Sequence, residues 1–333
     1  MKADTVTKDF LSDAQVFADI FNYYIYGGEQ VILPEHLQER DPTEIALPYG
    51  ADGAAVPVQK FRDVQKLCTA KTDGRLQYFL YGAESQAEIH YAAAVKNNLY
   101  DALEYAGQVE EAARSHRRAQ KAEKGQRKHK APDSGEFLSG FWKEDRLIPS
   151  VTIMIYFGSK EWEAPLSLFD MMDIKDPRVL SCMDNYHVRL IAPVQMEDQE
   201  ILKFQTGLRE VLLFIKYSKN KEALAAVMES NKDRFSALER RAADVIEAIT
   251  HISLNYKESG GKVDMCQAIQ EMRTEERNIG RQEGIQEGRQ EGRKEEALKT
   301  AKNLYEMGIE VSKIAKGVDY ALETVEQWLG LKE

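Results

Sequence analysis

Net positive charge is missing from this sequence. Its 333 residues carry 45 Lys and Arg against 55 Asp and Glu, a formal net charge of −10. Proteins that coat nucleic acid are usually basic, which argues against that general role. A nuclease is not excluded, because its metal site needs local acid and its grip on phosphate needs only a local basic patch. Cysteine is scarce. Cys68, Cys182 and Cys266 are far apart and odd in number, which gives neither a disulfide framework nor a zinc spacing. A reducing cytosol and buried structural thiols are expected. Long hydrophobic runs are missing as well. The stretches around Ile148–Phe157 and Val211–Ile215 are too short to span a bilayer, and Met1–Lys8 contains no apolar signal region. The expectation is a cytoplasmic protein with no membrane partner. No G-x-x-x-x-G-K-[ST] loop occurs, nor a G-x-G-x-x-G after a strand. The six histidines form no H-x-x-x-H pair, which argues against a zinc protease and leaves no sign of a small-molecule cofactor.

What is present is an ordinary globular composition, 43% hydrophobic and 30% charged, enough for one large core or two smaller ones. Val16, Phe17, Ile20, Phe21 and Tyr24 recur at helical spacing, which predicts one helix over Asp9–Tyr26, stopped by Gly27-Gly28. Residues 29–58, with their Pro and Gly, read as loop. Gln59–Leu67 and Leu76–Gln86 read as strands joined through Thr72-Asp73-Gly74, whose Asp-Gly is a hairpin signal. A helix from Ile89 to about Arg114 follows. Strands over Leu147–Phe157 and Tyr186–Ala192 complete an α/β core, and residues 198–256 read as helical. Leu202, Phe204, Leu208, Val211, Leu212, Phe214, Ile215, Val245, Ile246 and Ile249 mark its core faces.

Chemistry concentrates between Asp63 and Tyr105. Side chains alternate along a strand, so Glu84 and Gln86 share a face. An Asp on one strand and a Glu-x-polar pair on the next can set two carboxylates around one divalent cation, Mg²⁺ or Mn²⁺. Such a cation lowers the pKa of a water and offsets charge building on a phosphate. Gln86 can hydrogen-bond the attacking water or a scissile oxygen but brings no positive charge. Asp19, at the edge of the first apolar stripe, reads as a solvated helix-face residue, with a third metal-site acid as the alternative.

The order Asp63…Glu84-x-Gln86 followed by a helix resembles the PD-(D/E)XK nuclease core. Phe17-Ala-Asp-Ile-Phe-Asn22, Arg62-Asp63, Ile89-His-Tyr-Ala92, Leu99-Tyr-Asp-Ala-Leu103, Glu136-Phe-Leu-Ser-Gly-Phe141, Trp162-x-x-Pro165, Phe214-Ile-Lys-Tyr217 and Asp264-Met-Cys-Gln-Ala-Ile269 resemble the Rpn-type recombination-promoting nucleases, also described as transposase-like. The resemblance runs from about residue 8 to the C-terminus. It implies a mixed central sheet flanked by helices, followed by an α-helical C-terminal region, with Asp63, Glu84 and Gln86 catalytic and Asp63 and Glu84 holding metal. Members usually carry Met-Pro-(Val)-Arg after His-Tyr-Ala. Here Ala93-Ala94-Val95-Lys96 stands instead, so Lys96 would keep the charge of a phosphate contact without the guanidinium fork.

From Arg114 to Lys130 eight Lys and Arg stand against one acid. Like charges at this density repel and little apolar surface is available to bury. The run reads as a disordered insertion over 114–135, either a solvated loop or an arm gripping DNA through Arg114, Arg117, Arg118, Lys121, Lys124, Arg127, Lys128 and Lys130. In the tail, Gly280, Gly284, Gly288 and Gly292 form one helix ridge and Glu283, Glu287, Glu291 and Glu295 another. Each such glycine weakens an isolated helix by about 1 kcal/mol, so a surface packing on the ridge is expected, most simply a second copy. Residues 297–331 read as a three-helix cap.

The expected organisation is a nuclease core over 8–195, a helical region over 196–270, and a Gly/Glu/Arg-rich helix with its cap over 271–333. The expected function is metal-dependent DNA cleavage by a homo-oligomer. The alternatives are a catalytically silent nuclease fold that binds DNA, and an oligomerising interaction protein.

Overall fold

The computed structural model describes residues 3–40, 43–46, 58–61, 63–72, 75–122, 131–174, 176–250, 252, 254 and 258–331. Two compact units divide the chain, Met1–Cys266 and Gln267–Glu333. In chain order the first holds α1 (Ala3–Ser12), α2 (Ala14–Tyr26), β1 (Leu37–Glu39), β2 (Thr43–Ala46), β3 (Val58–Phe61), β4 (Val64–Thr72), β5 (Arg75–Gln86), α3 (Ala93–Ala122), α4 (Ser134–Ser139) and β6 (Ser150–Tyr156). It continues with α5 (Pro177–Leu180), β7 (Arg189–Ile191), α6 (Asp198–Ile201), α7 (Leu208–Tyr217), α8 (Lys221–Ser230), α9 (Lys232–Phe235), β8 (Leu238–Glu239), α10 (Arg240–Thr250), β9 (Glu258–Ser259) and β10 (Lys262–Val263).

The fold is mixed α/β. Five strands form one sheet in the order β1-β4-β5-β6-β7. β1, β4 and β5 pair antiparallel, and β5, β6 and β7 pair parallel. Parallel strands need a long crossover, and α3 supplies it between β5 and β6. Alternation then decides which side chains meet which helices. Tyr81 stacks on Phe21 of α2 with ring centroids 4.2 Å apart, and the Ser85 hydroxyl lies 2.8 Å from that of Thr7 on α1. On the opposite face, Met154 and Tyr156 pack against Ala93 and Ala94 of α3, and the Thr152 hydroxyl donates to Asp101 at 2.7 Å.

The expected strands therefore exist, but β1 and β2 stand within residues 29–58, which were expected to be loop, and three further corrections of local structure apply. The first helix is two, because Asp13 leaves helical geometry and caps α2 by accepting from the Gln15 and Val16 N–H groups; Gly27, at φ 64°, ends it as expected. β3 pairs with β2 in a separate two-stranded sheet, so the first expected strand is split near Asp63. The segment expected to be wholly helical contains the small sheet β8-β10-β9. Asp73 and Gly74 lie outside the described residues.

The core is largely the one the apolar spacing marks. Leu208, Val211, Leu212, Phe214, Ile215, Val245 and Ile246 are buried, whereas Leu202 is 39% exposed. Cys68 is buried as expected of a structural thiol, but Cys182 is exposed. Among the described residues no helix is long and apolar enough to cross a membrane.

The second unit consists of most of α11 (Met265–Glu306), then α12 (Val311–Val318) and α13 (Leu322–Trp328). Ala301, Ile314, Ala315 and Val325 form its small core, with Leu304, Val311, Trp328 and Leu329 around it. The helix runs unbroken through Gly280, Gly284, Gly288 and Gly292, and among the described residues nothing outside the helix's own neighbouring backbone lies within 4 Å of where a Cβ would project from any of them.

Candidate functional site

β4 and β5 are registered so that Val64 faces Ala83. One residue beyond that pair, Asp63 stands opposite Glu84. Two hydrogen bonds tie the two strand ends together. The Asp63 N–H donates to Glu84 Oε1 at 3.3 Å, and the Ser85 N–H donates to Asp63 Oδ2 at 2.8 Å. Gln86 falls on the Glu84 face by alternation. Glu84 is buried and Asp63 half-buried. A salt bridge of 3.0 Å joins Glu84 Oε2 to the Lys96 ammonium on the first turns of α3.

Burial dominates the electrostatics. It raises the pKa of Glu84, with Lys96 opposing and the nearby Asp63 charge adding to the rise. It raises that of Asp63 too, against the Ser85 hydrogen bond and Lys96, with Asp4 adding to the rise and Lys8 opposing it. Burial works against the charge on Lys96, but Glu84 outweighs it and the net shift is upward. Two buried carboxylates that resist ionising beside each other are a place where added positive charge is welcome.

A cleft of about 360 Å³ opens beside Asp63, lined by Lys8, Asp9, Glu39, Arg40, Gln65 and Lys66 among others. Lys66 is already engaged by Glu39 at 3.4 Å. Deeper on the α3 face, Glu104 accepts from the amides of Gln65 at 2.9 Å and Gln108 at 3.1 Å, so it is committed to packing.

The remaining sequence candidates separate. Asp19 is neither solvated nor near the pair. It is 2% exposed on α2, which covers the other face of the sheet, and it accepts from the Gln205 and Thr206 N–H groups and the Thr206 hydroxyl, at 2.8–3.1 Å. Burial raises its pKa against those bonds. It anchors the loop before α7. Among the described residues no group of three or more His, Cys, Asp and Glu is arranged to hold a metal ion. The basic run begins as helix, not as a disordered insertion. α3 continues to Ala122, which places Arg114, Arg117, Arg118 and Lys121 on an exposed helix surface, with Arg114 paired to Glu110 at 2.6 Å. Helix-favouring Ala, Gln and Arg outweigh charge repulsion there. Lys124, Arg127, Lys128 and Lys130 lie outside the described residues.

Sequence reasoning missed Asp4 and Lys8. Their one signal is the i, i+4 spacing that puts both on one face of α1. Its expectation for Lys96 was a phosphate contact, and it did not foresee the pairing of that ammonium with Glu84. No curated protein and no solved structure matches the chain. One family model matches a segment that runs from the end of α4 into α10 and lies wholly downstream of Asp63, Glu84 and Lys96. Residues 139–245 match the family described as "Putative transposase, YhgA-like", in keeping with the transposase-like family that the sequence motifs resemble.

Proposed function

We propose that this chain is a metal-dependent DNA endonuclease of the recombination-promoting, transposase-like type, acting in the cytoplasm on a PD-(D/E)XK-like core. The observation that carries the reading is the placing of the two carboxyls at one strand end, Glu84 accepting from the Asp63 N–H and Asp63 from the Ser85 N–H, with Gln86 on the Glu84 face. The pair fits Mg²⁺ or Mn²⁺ by its donor chemistry. Mg²⁺ keeps several waters and needs only one or two carboxylates beside substrate phosphates, and burial disfavours the charge on both carboxylates even with Lys96 beside them. When bound, the cation acidifies a water and offsets phosphate charge. Asp63 and Glu84 hold it. Gln86 orients the attacking water through its amide. Lys8 and Arg40, along the cleft, meet the phosphates flanking the cut. Cleavage of supercoiled plasmid in Mg²⁺ or Mn²⁺, wild type against Asp63→Ala, tests this. Wild type should nick and the variant should not; an inert wild type removes the reading. The absence of charge on Gln86 favours a silent DNA-binding fold as the second reading, and DNA binding without nicking would establish it.

The basic run from Arg114 to Lys130 should add salt-sensitive, sequence-independent affinity. Replacing Arg114, Arg117, Arg118, Lys121, Lys124, Arg127, Lys128 and Lys130 with Ser should flatten the plot of log affinity against log salt by about 0.7–0.9 for each phosphate that is no longer neutralised. Arg114, held by Glu110, should contribute least. An unchanged slope means a solvated surface only.

The second unit should assemble the chain into a dimer through its open glycine ridge. Sedimentation of the full chain against one truncated after Met272 should give dimer and monomer at micromolar concentration. Two monomers would leave the ridge without a partner.

A further inference from the structure

We propose that Lys96 is the resident counter-ion of the acidic pair and competes with a divalent cation for Glu84. The inference rests on the nuclease reading for the identity of the competing ion. Glu84 uses both its oxygens. Oε1 accepts from the Asp63 peptide and Oε2 holds Lys96. The Glu84 side chain is 2% exposed and that of Lys96 27%, so Lys96 is the partner that solvent reaches. A cation coordinating Oε2 would lie roughly 2.0–2.6 Å from it, and the ammonium lies 3.0 Å from the same atom. Two cations sharing one oxygen lie within about 5 Å of each other and repel strongly where water is scarce. Each therefore weakens the other's hold on Glu84.

Lys96 is built to leave. Ala93 and Ala94 fix the helix around it by packing on Met154 and Tyr156. The side chain itself is long and carries a point charge, without the two-pronged grip of arginine. Its nitrogen also lies 5.6 Å from the centroid of the Tyr100 ring, a face that can hold an ammonium released from Glu84. Gln86, on the same strand face as Glu84, carries no charge. A displaced Lys96 thus supplies the positive group that Gln86 lacks, within side-chain reach of a phosphate at Glu84. In this arrangement one residue stabilises the metal-free site and serves the substrate once metal is bound.

The test separates the two roles by sign. Mn²⁺ is titrated calorimetrically into full-length protein without DNA, and plasmid cleavage is measured at saturating Mn²⁺. Lys96→Gln removes the competitor, so Mn²⁺ should bind about tenfold tighter while cleavage falls. Lys96→Arg grips Glu84 through two donors and should bind Mn²⁺ more weakly than wild type. It also keeps the test decisive if the Gln variant does not fold. Affinity that is unchanged or weaker in Lys96→Gln, or unchanged in Lys96→Arg, overturns the proposal. If wild type binds Mn²⁺ and cuts while those affinities fail to move, the counter-ion role alone is wrong. If wild type neither binds Mn²⁺ nor cuts, the nuclease reading falls with it.

Discussion

Asp63→Asn should abolish plasmid cleavage and leave the protein at least as stable as wild type. Asparagine keeps an oxygen that can accept the Ser85 N–H, so the β4–β5 end stays closed. It removes one of two charges that would hold metal. Loss of a group that merely orients a ligand costs about 10–100-fold in affinity or activity, so loss of the ligand itself should exceed about 100-fold. The stability side has a definite sign. Burial first, and Asp4 further, push the Asp63 pKa above the ordinary aspartate value, while Ser85, Lys96 and Lys8 pull against them. A carboxyl whose folded pKa is raised stabilises the fold at low pH, and that contribution is lost as pH rises through the folded value. Metal-free Asp63→Asn should therefore melt above wild type at neutral pH, and the difference should vanish as pH falls below the ordinary aspartate range. A variant that loses both cleavage and its cooperative melt would show that Asp63 serves the fold instead.

Arg234→Ala should produce the largest loss of stability. Glu210 is 1% exposed on α7, and both its oxygens accept from the Arg234 guanidinium, whose Nη2 bond is 3.0 Å long. The same Nη2 donates to the Gln205 and Thr206 carbonyls at 3.1 and 2.9 Å, in the loop that Asp19 holds from its N–H side. Removing the arginine takes both close guanidinium bonds from a buried carboxylate, leaving Arg209 at 3.6 Å beside it, and frees that loop. Breaking a buried pair costs about 3–5 kcal/mol, and the lower end applies because solvent reaches part of Arg234. Denaturant unfolding measures the loss. Arg178→Ala, which opens the exposed pair with Asp176, should change nothing measurable. Equal effects in the two variants would mean that the Glu210 pair is not a special element of the core.

Local signals were legible where one residue pattern sufficed. Alternation in Leu76–Gln86 predicted β5 and the shared face of Glu84 and Gln86. Apolar spacing around Leu304, Ile314 and Val325 predicted the cap. Gly27 predicted the end of α2. Each depends on neighbours within a few positions, which is what sequence periodicity encodes. The break at Asp13 was also written locally, as an N-cap, but a continuous apolar stripe from Val16 to Tyr24 hid it.

Partnership across the fold was not legible. Asp19 reads as a surface acid until the loop at Gln205, nearly two hundred residues later, delivers its N–H groups. The pairing of Lys96 with Glu84 cannot be read before the β5-α3-β6 crossover lays α3 over the Glu84 face. Asp4 joins the site because α1 covers the sheet edge where β4 begins. The sequence by itself determined which residues carry acid, amide and ammonium, and on which strand face or helix turn each stands. Only the tertiary structure decided which of them meet, because burial and pairing set the charge each acid can hold, and neither exists before distant segments pack.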